Sequence, residues 1–296
     1  MTFGGLVSVA FSLNLMAADW NTSPAFDAFY NLDYEKAVAL LEDQARSTPL
    51  QASVHNHLAQ ALLYRALFRA GTLDATAALS PARFLSTPKP AIPTADREQF
   101  HRAIAASLRL TETSRDAPGY YARGVAHIHR ANFEMFVNKS WRAALRDATA
   151  ARHLHQLALA ADPQFIDAQL VPATHDYVVG CLPWYAKAIG FLAGIHGDKD
   201  KGMEGIRRVA TSGQRTRVEA TLLLALVSRR EGSPAQAAQI LSGLCRQFPR
   251  NFLYRMERIR SLRLAGDHES ARQDETALGA YANLPPERFR AFLNGR

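Results

Sequence analysis

Residues 218–278 read VEATLLLALVSRREGSPAQAAQILSGLCRQFPRNFLYRMERIRSLRLAGDHESARQDETAL. Within this stretch Gly232 and Gly266 stand 34 residues apart, as do Ala237 and Ala271, Leu224 and Arg258, and Ala225 and Ile259. A period of that length holds two short helices and their turns. Leu222, Leu223, Ala225, Leu226 and Val227 recur at helical rather than alternating spacing. Glu231-Gly232-Ser233-Pro234 then interrupts the pattern. Glycine adopts the left-handed conformation that ends a helix, and Ser before Pro reads as an N-cap followed by a first-turn proline. Ala237, Ala238, Leu241, Leu244 and Cys245 form one stripe of the next helix, with small Ala237 suited to a close crossing, and Pro249 stops it.

These residues resemble the tetratricopeptide repeat. Where that repeat carries two small residues, a large apolar residue and a closing proline, this copy has Ala225, Ala237, Leu241 and Pro249. The next copy keeps Gly266 and Ala271 but has Ile259, Glu275 and Asn283 at the remaining places, the decay expected of a terminal repeat with a polar outer face. Upstream, Asp33 to Pro49 (DYEKAVALLEDQARSTP) matches a second repeat helix through Ala37, Leu41 and Pro49. Tyr120 to Phe136 reads as a first helix with Gly124 at its small place, Lys139 to Ala161 as a long basic helix, and Asp198 to Val209 as another second helix with Gly202, Ile206 and Val209. The resemblance implies an all-α protein, a right-handed α-solenoid of stacked antiparallel helix pairs over residues 19–296. Roughly five to six pairs are expected, above the minimum of about three that a stack needs.

Composition agrees with such a class. The 296 residues are 48% hydrophobic, enough for a continuous core, and strand-like alternation is nearly absent. The formal charge is +8, carried by 35 basic residues of which only six are lysine. That balance permits an acidic protein, a nucleic acid or an anionic membrane as partner. Nucleic acid is not expected, because the aromatic residues fall at core positions rather than as stacking platforms among basic ones. Cys181 and Cys245 each sit in an apolar run and read as small hydrophobes rather than a disulfide.

Three stretches depart from the repeat pattern. Residues 1–18 have no ionised side chain and end in Ala17-Ala18-Asp19, which reads as a signal peptide and an exported, periplasmic protein; without a basic leader, the alternative is an apolar first helix retained in a cytoplasmic chain. Residues 72–94 include SPARFLSTPKPAIPT, whose four prolines forbid a helix, so a Pro-rich insertion is expected there. Residues 177–197 (YVVGCLPWYAKAIGFLAGIHG) are almost uncharged. Pro183, the internal glycines and Lys187 argue against a membrane span, leaving an apolar hairpin. That hairpin packs into the core, or it encloses an apolar ligand or rests on lipid through Trp184, Tyr185 and Phe191.

Little in the chain points to chemistry. The His-x-His pairs 55/57, 127/129 and 153/155 place their members about 200° apart on a helix, so none of the three is a chelating set, and no metal is expected. Asp198-Lys-Asp200-Lys-Gly202 has the start of a calcium loop but Val209 where the closing glutamate is needed; Asp198 reads instead as an N-cap. No phosphate loop, nucleophile elbow or zinc-protease helix occurs, and neither enzymatic activity nor a cofactor is expected. The sharper signal is arginine. By the family's groove positions, Glu219, Leu222, Leu226, Arg229 and Arg230 line a concave face in one copy, and Leu253, Met256, Arg260, Arg263 and Leu264 in the next. Arg229, Arg230, Arg260 and Arg263 are the candidate groove for an acidic peptide, bound by paired hydrogen bonds. The competing reading is a face salt-bridged by Glu231, Glu257 and Asp267. The expected function is thus a non-enzymatic scaffold binding a protein or extended acidic peptide; the alternative is an envelope-associated component that binds an apolar ligand or a lipid surface through 177–197.

Overall fold

The computed structural model describes residues 20–73, 89–182 and 196–278, and among these the protein is all-α, with twelve α-helices and no strand. In chain order they are α1 (Pro24–Tyr30), α2 (Tyr34–Ser47), α3 (Ala52–Arg69), α4 (Thr94–Thr111), α5 (Ala117–Phe133), α6 (Trp141–Ala161), α7 (Leu170–Gly180), α8 (Lys199–Ser212), α9 (Arg217–Arg230), α10 (Pro234–Gln247), α11 (Phe252–Leu264) and α12 (His268–Leu278). The signal-peptide reading of 1–18, most of the Pro-rich insertion, and the hairpin residues Trp184, Tyr185 and Phe191 lie outside the described residues.

Local chemistry accounts for the helix ends. Ser23 Oγ accepts from Phe26 N at 3.1 Å and caps α1, with Pro24 in the first turn. Asp198 caps α8 by accepting from Asp200 and Lys201 N–H, as its sequence context implies. Ser233 does stand at the start of α10, but its side chain makes no capping bond there; Pro234 and the preceding turn suffice.

That turn recurs. Gly232 and Gly266 have φ of 82° and 81°. Gly232 N donates to Arg229 O and Ser233 N to Ser228 O, while Gly266 N donates to Arg263 O and Asp267 N to Leu262 O, the same pair of bonds 34 residues on. The same turn therefore joins α9 to α10 and α11 to α12. The turn after α1 makes the equivalent bonds, Leu32 N to Phe29 O and Asp33 N to Ala28 O, with Leu32 itself at φ 65°. Packing rather than glycine holds that residue, since Leu32 is part-buried against two core clusters.

Each helix packs against the next in sequence, and α3 also meets α5. The small residues sit at the crossings: Ala37, Ala225 and Ala237 are fully buried, and Gly202 lies against the backbone of Tyr177 on α7. The chain also returns on itself. Phe26 and Tyr30 of α1 pack on Phe248, with ring centroids 5.7 and 5.1 Å away, and Phe68 of α3 meets Phe252 at 6.1 Å. Asn251 Nδ2 donates to Tyr30 O at 2.6 Å, and Arg250 N to Asn31 Oδ1 at 3.0 Å. One hydrophobic cluster accordingly contains residues of α1 to α5 together with α9 to α11.

Candidate functional site

Closing the first helices onto the last ones leaves space on their other side. A cleft of about 1180 Å³ opens among α3, α5, α6, α7 and α9. Its walls follow helical periodicity. α3 contributes Ser53, His57, Gln60 and Tyr64, and α5 contributes Tyr121, Val125, Ile128, His129 and Asn132. α6 adds Leu145, Ala148, Thr149 and Arg152; α7 adds Leu170, Val171, Thr174 and Val178; Glu219 and Leu223 come from α9. α3 is apolar around most of its circumference for this reason, with one side in the core and the other on the cleft.

The polar groups of the cleft are mostly neutral. One member of each His-x-His pair faces inward. Burial, with smaller contributions from His129 and Arg215, pushes His57 down to about 3. Burial also lowers His129 and His155 to about 4, in the latter case against the favourable contact with the Ala151 carbonyl. His155 Nδ1 donates to Ala151 O at 2.8 Å, and its ring lies on Gly124, where a Cβ would come within 2.5 Å of Nδ1. Gly124 is thus the small residue that lets α5 and α6 approach. Thr149 and Thr174 donate to carbonyls one turn back on their own helices, at 2.9 and 2.7 Å.

Two carboxylates reach the cleft. Asp167 accepts from the N–H groups of Gln214, Arg215 and Thr216 at 3.1, 2.8 and 2.9 Å and from the Thr216 hydroxyl, so it pins the turn entering α9. Glu219 accepts from the Tyr30 hydroxyl, and from Gln60 Nε2 at 3.2 Å. Burial raises its carboxyl above the usual value, outweighing the hydrogen bonds from Tyr30, its own backbone and Gln60.

The arginine quartet is elsewhere. Arg229 Nη1 donates to Glu257 Oε2 at 2.7 Å, and Arg260 pairs with the other oxygen of the same carboxylate, so these two meet on one buried residue. Arg263 pairs with Glu275 at 2.8 Å. Arg230 lies over the Tyr177 ring, 5.8 Å from its centroid, beside a smaller pocket shared with Lys199 and Glu231. Glu257 is thus the partner that the salt-bridged reading proposed. Glu231 instead binds Lys199, at 2.8 Å.

Sequence reasoning put Glu219 on a concave surface but missed the residues that meet it. Tyr30 and Gln60 come from helices far from α9 in the chain; for the cleft histidines the available signal was the His-x-His spacing, which puts the two members of a pair on different sides of a helix. Among the described residues no group of three or more His, Cys, Asp or Glu is arranged to hold a metal ion, and no helix is long and apolar enough to cross a membrane. Cys181 and Cys245 are free thiols, both partly buried. No family model matches the chain, and no curated protein matches it.

Proposed function

We propose that the chain is a non-catalytic binding protein, built on degenerate tetratricopeptide-like helix pairs, that holds an elongated and mainly apolar ligand in the cleft. The observation that carries this reading is the cleft itself. Its volume exceeds the ~300–1,000 Å³ typical of pockets for small molecules, which suits an extended ligand. The surface that its walls expose is mostly apolar and supplies the driving force, and the polar side chains among them supply the orientation. The Thr149 and Thr174 hydroxyls bond their own helices, which favours holding a ligand over attacking one.

Isothermal titration of the full chain with decan-1-ol tests it. Single-site binding is expected, and Ala148→Trp or Ala122→Trp, which fill the cleft, should weaken it by at least about tenfold, the equivalent of ~1.4 kcal/mol. Undiminished binding by both variants refutes the cleft as the site.

A second reading, a protein or extended peptide seated across the rim, is favoured by apolar side chains at the edge. Trp141 is 60% exposed, Leu145 56% and Val178 52%, and the last two also line the cleft. Loss of peptide binding in Trp141→Ser with Leu145→Ser, with alcohol binding retained, would single out this reading. The arginine quartet supports a peptide groove less, because Arg229, Arg260 and Arg263 hold internal carboxylates.

A further inference from the structure

We propose that the inner wall of the cleft between α3 and α9 is a head-group site for an aliphatic ammonium, whose nitrogen sits between Glu219 and Asn56 while its chain lies along α5, α6 and α7. This rests on the cleft being a ligand site, and it names the ligand's class.

The argument begins with hydrogen-bonding capacity. Asn56 Nδ2 donates to Ala122 O at 2.8 Å, which settles the orientation of the amide; its Oδ1, an acceptor, has no hydrogen-bond partner although the residue is only 2% exposed. Gln60 stands one turn further along α3 and carries the bond to Glu219 Oε1. Glu219 Oε2 is buried and has no hydrogen-bond partner. His129, 7% exposed and facing the same cleft, has a buried Nδ1 in the same state. Native interiors leave few such atoms, and here they cluster on three helices around one cleft.

The missing partner is a donor. Asn56 Oδ1 can only accept, and an ionised Glu219 can only accept. An alcohol brings one donor; an ammonium brings three and a charge that offsets the carboxylate, whose present side-chain donors are an uncharged hydroxyl and an uncharged amide. The other charges near the cleft are engaged, apart from the buried Nε of Arg152, which has no hydrogen-bond partner. Arg215 lies over the rings of Tyr121 and Phe165, Asp167 holds the α9 turn, and Arg152 faces Asp176 at 3.8 Å. Burial opposes ionisation of Glu219, and a cation at Oε2 would reverse that.

Titration of the full chain with decan-1-amine, decan-1-ol and sodium decanoate at neutral pH compares three heads on one body. The amine should bind at least about tenfold more tightly than the alcohol, and decanoate most weakly. The overall charge of +8 attracts decanoate, so a preference for the amine cannot come from the surface field. Glu219→Gln should remove the preference while alcohol binding persists. Equal or tighter binding of the alcohol or of decanoate overturns the head-group site, as does a preference that survives Glu219→Gln. Should that variant fail to fold, the wild-type ranking decides by itself. If none of the three binds, the cleft reading falls and the head-group site with it.

Discussion

At the scale of single residues, the cleft side chains make stability depend on pH in a definite direction. His129 and His155 are 7% and 2% exposed, and burial lowers both to about 4. In the unfolded chain an imidazole titrates near 6.5. Between these values the unfolded chain binds more protons than the folded one, so stability falls as the pH drops below about 6.5. Each histidine should cost about 2 kcal/mol at pH 5 relative to pH 7.5. Asp147 adds nothing in this window: burial raises its carboxyl, but the bonds from Arg130 and His127 win and hold it below the ordinary range, so its contribution is lost only at lower pH. Glu219, raised by burial, acts with the opposite sign. Urea unfolding of wild type and His129→Gln at pH 7.5 and 5 isolates the effect. The variant should lose less stability on acidification, and equal losses would show that His129 is charged in the folded state.

At the scale of elements, two kinds of glycine behave differently. Gly232 and Gly266 have open space where a Cβ would go, so Gly232→Ala or Gly266→Ala should cost only the left-handed backbone, about 1 kcal/mol each. Gly124 is helical, and its alanine variant drives a methyl into the His155 ring. Overpacking there should cost ~1–3 kcal/mol and shift the His155 ring signals in NMR spectra. A Gly124→Ala protein with an unmoved His155 would contradict the close α5–α6 crossing. Much of this was legible from the sequence. The Gly232 and Gly266 turns follow from a repeated local pattern, and Gly124 from the need for a small residue at a crossing. Leu32 was not legible, because a leucine held at positive φ depends on what it packs against.

At the scale of the whole molecule, the contacts between the first and last helices set the folding unit. Asn251 caps α11 by accepting from Tyr254 N at 3.2 Å and also donates to Tyr30 O. Asn251→Ala should therefore raise hydrogen exchange in α1 as well as in α11, at a cost of ~1–3 kcal/mol for the buried bonds. Faster exchange confined to α11 would mean that the two ends of the chain unfold independently. The shared hydrophobic cluster predicts one cooperative transition for α1 to α5 with α9 to α11.

Sequence by itself determined six of the twelve helices, α2, α5, α6 and α8 to α10, to within a few residues, and the 34-residue spacing of the Gly232 and Gly266 turns, because periodicity, glycine and proline act over a few neighbouring residues. It also raised Glu257 as a neutralising partner for the arginines. Only the tertiary structure decided that Arg229 and Arg260 share that carboxylate, and that Glu219 meets Tyr30 and Gln60 across 189 and 159 residues of chain. The cleft belongs to the same class. It forms among α3, α5, α6, α7 and α9, and contacts between residues so far apart leave no local pattern in the chain.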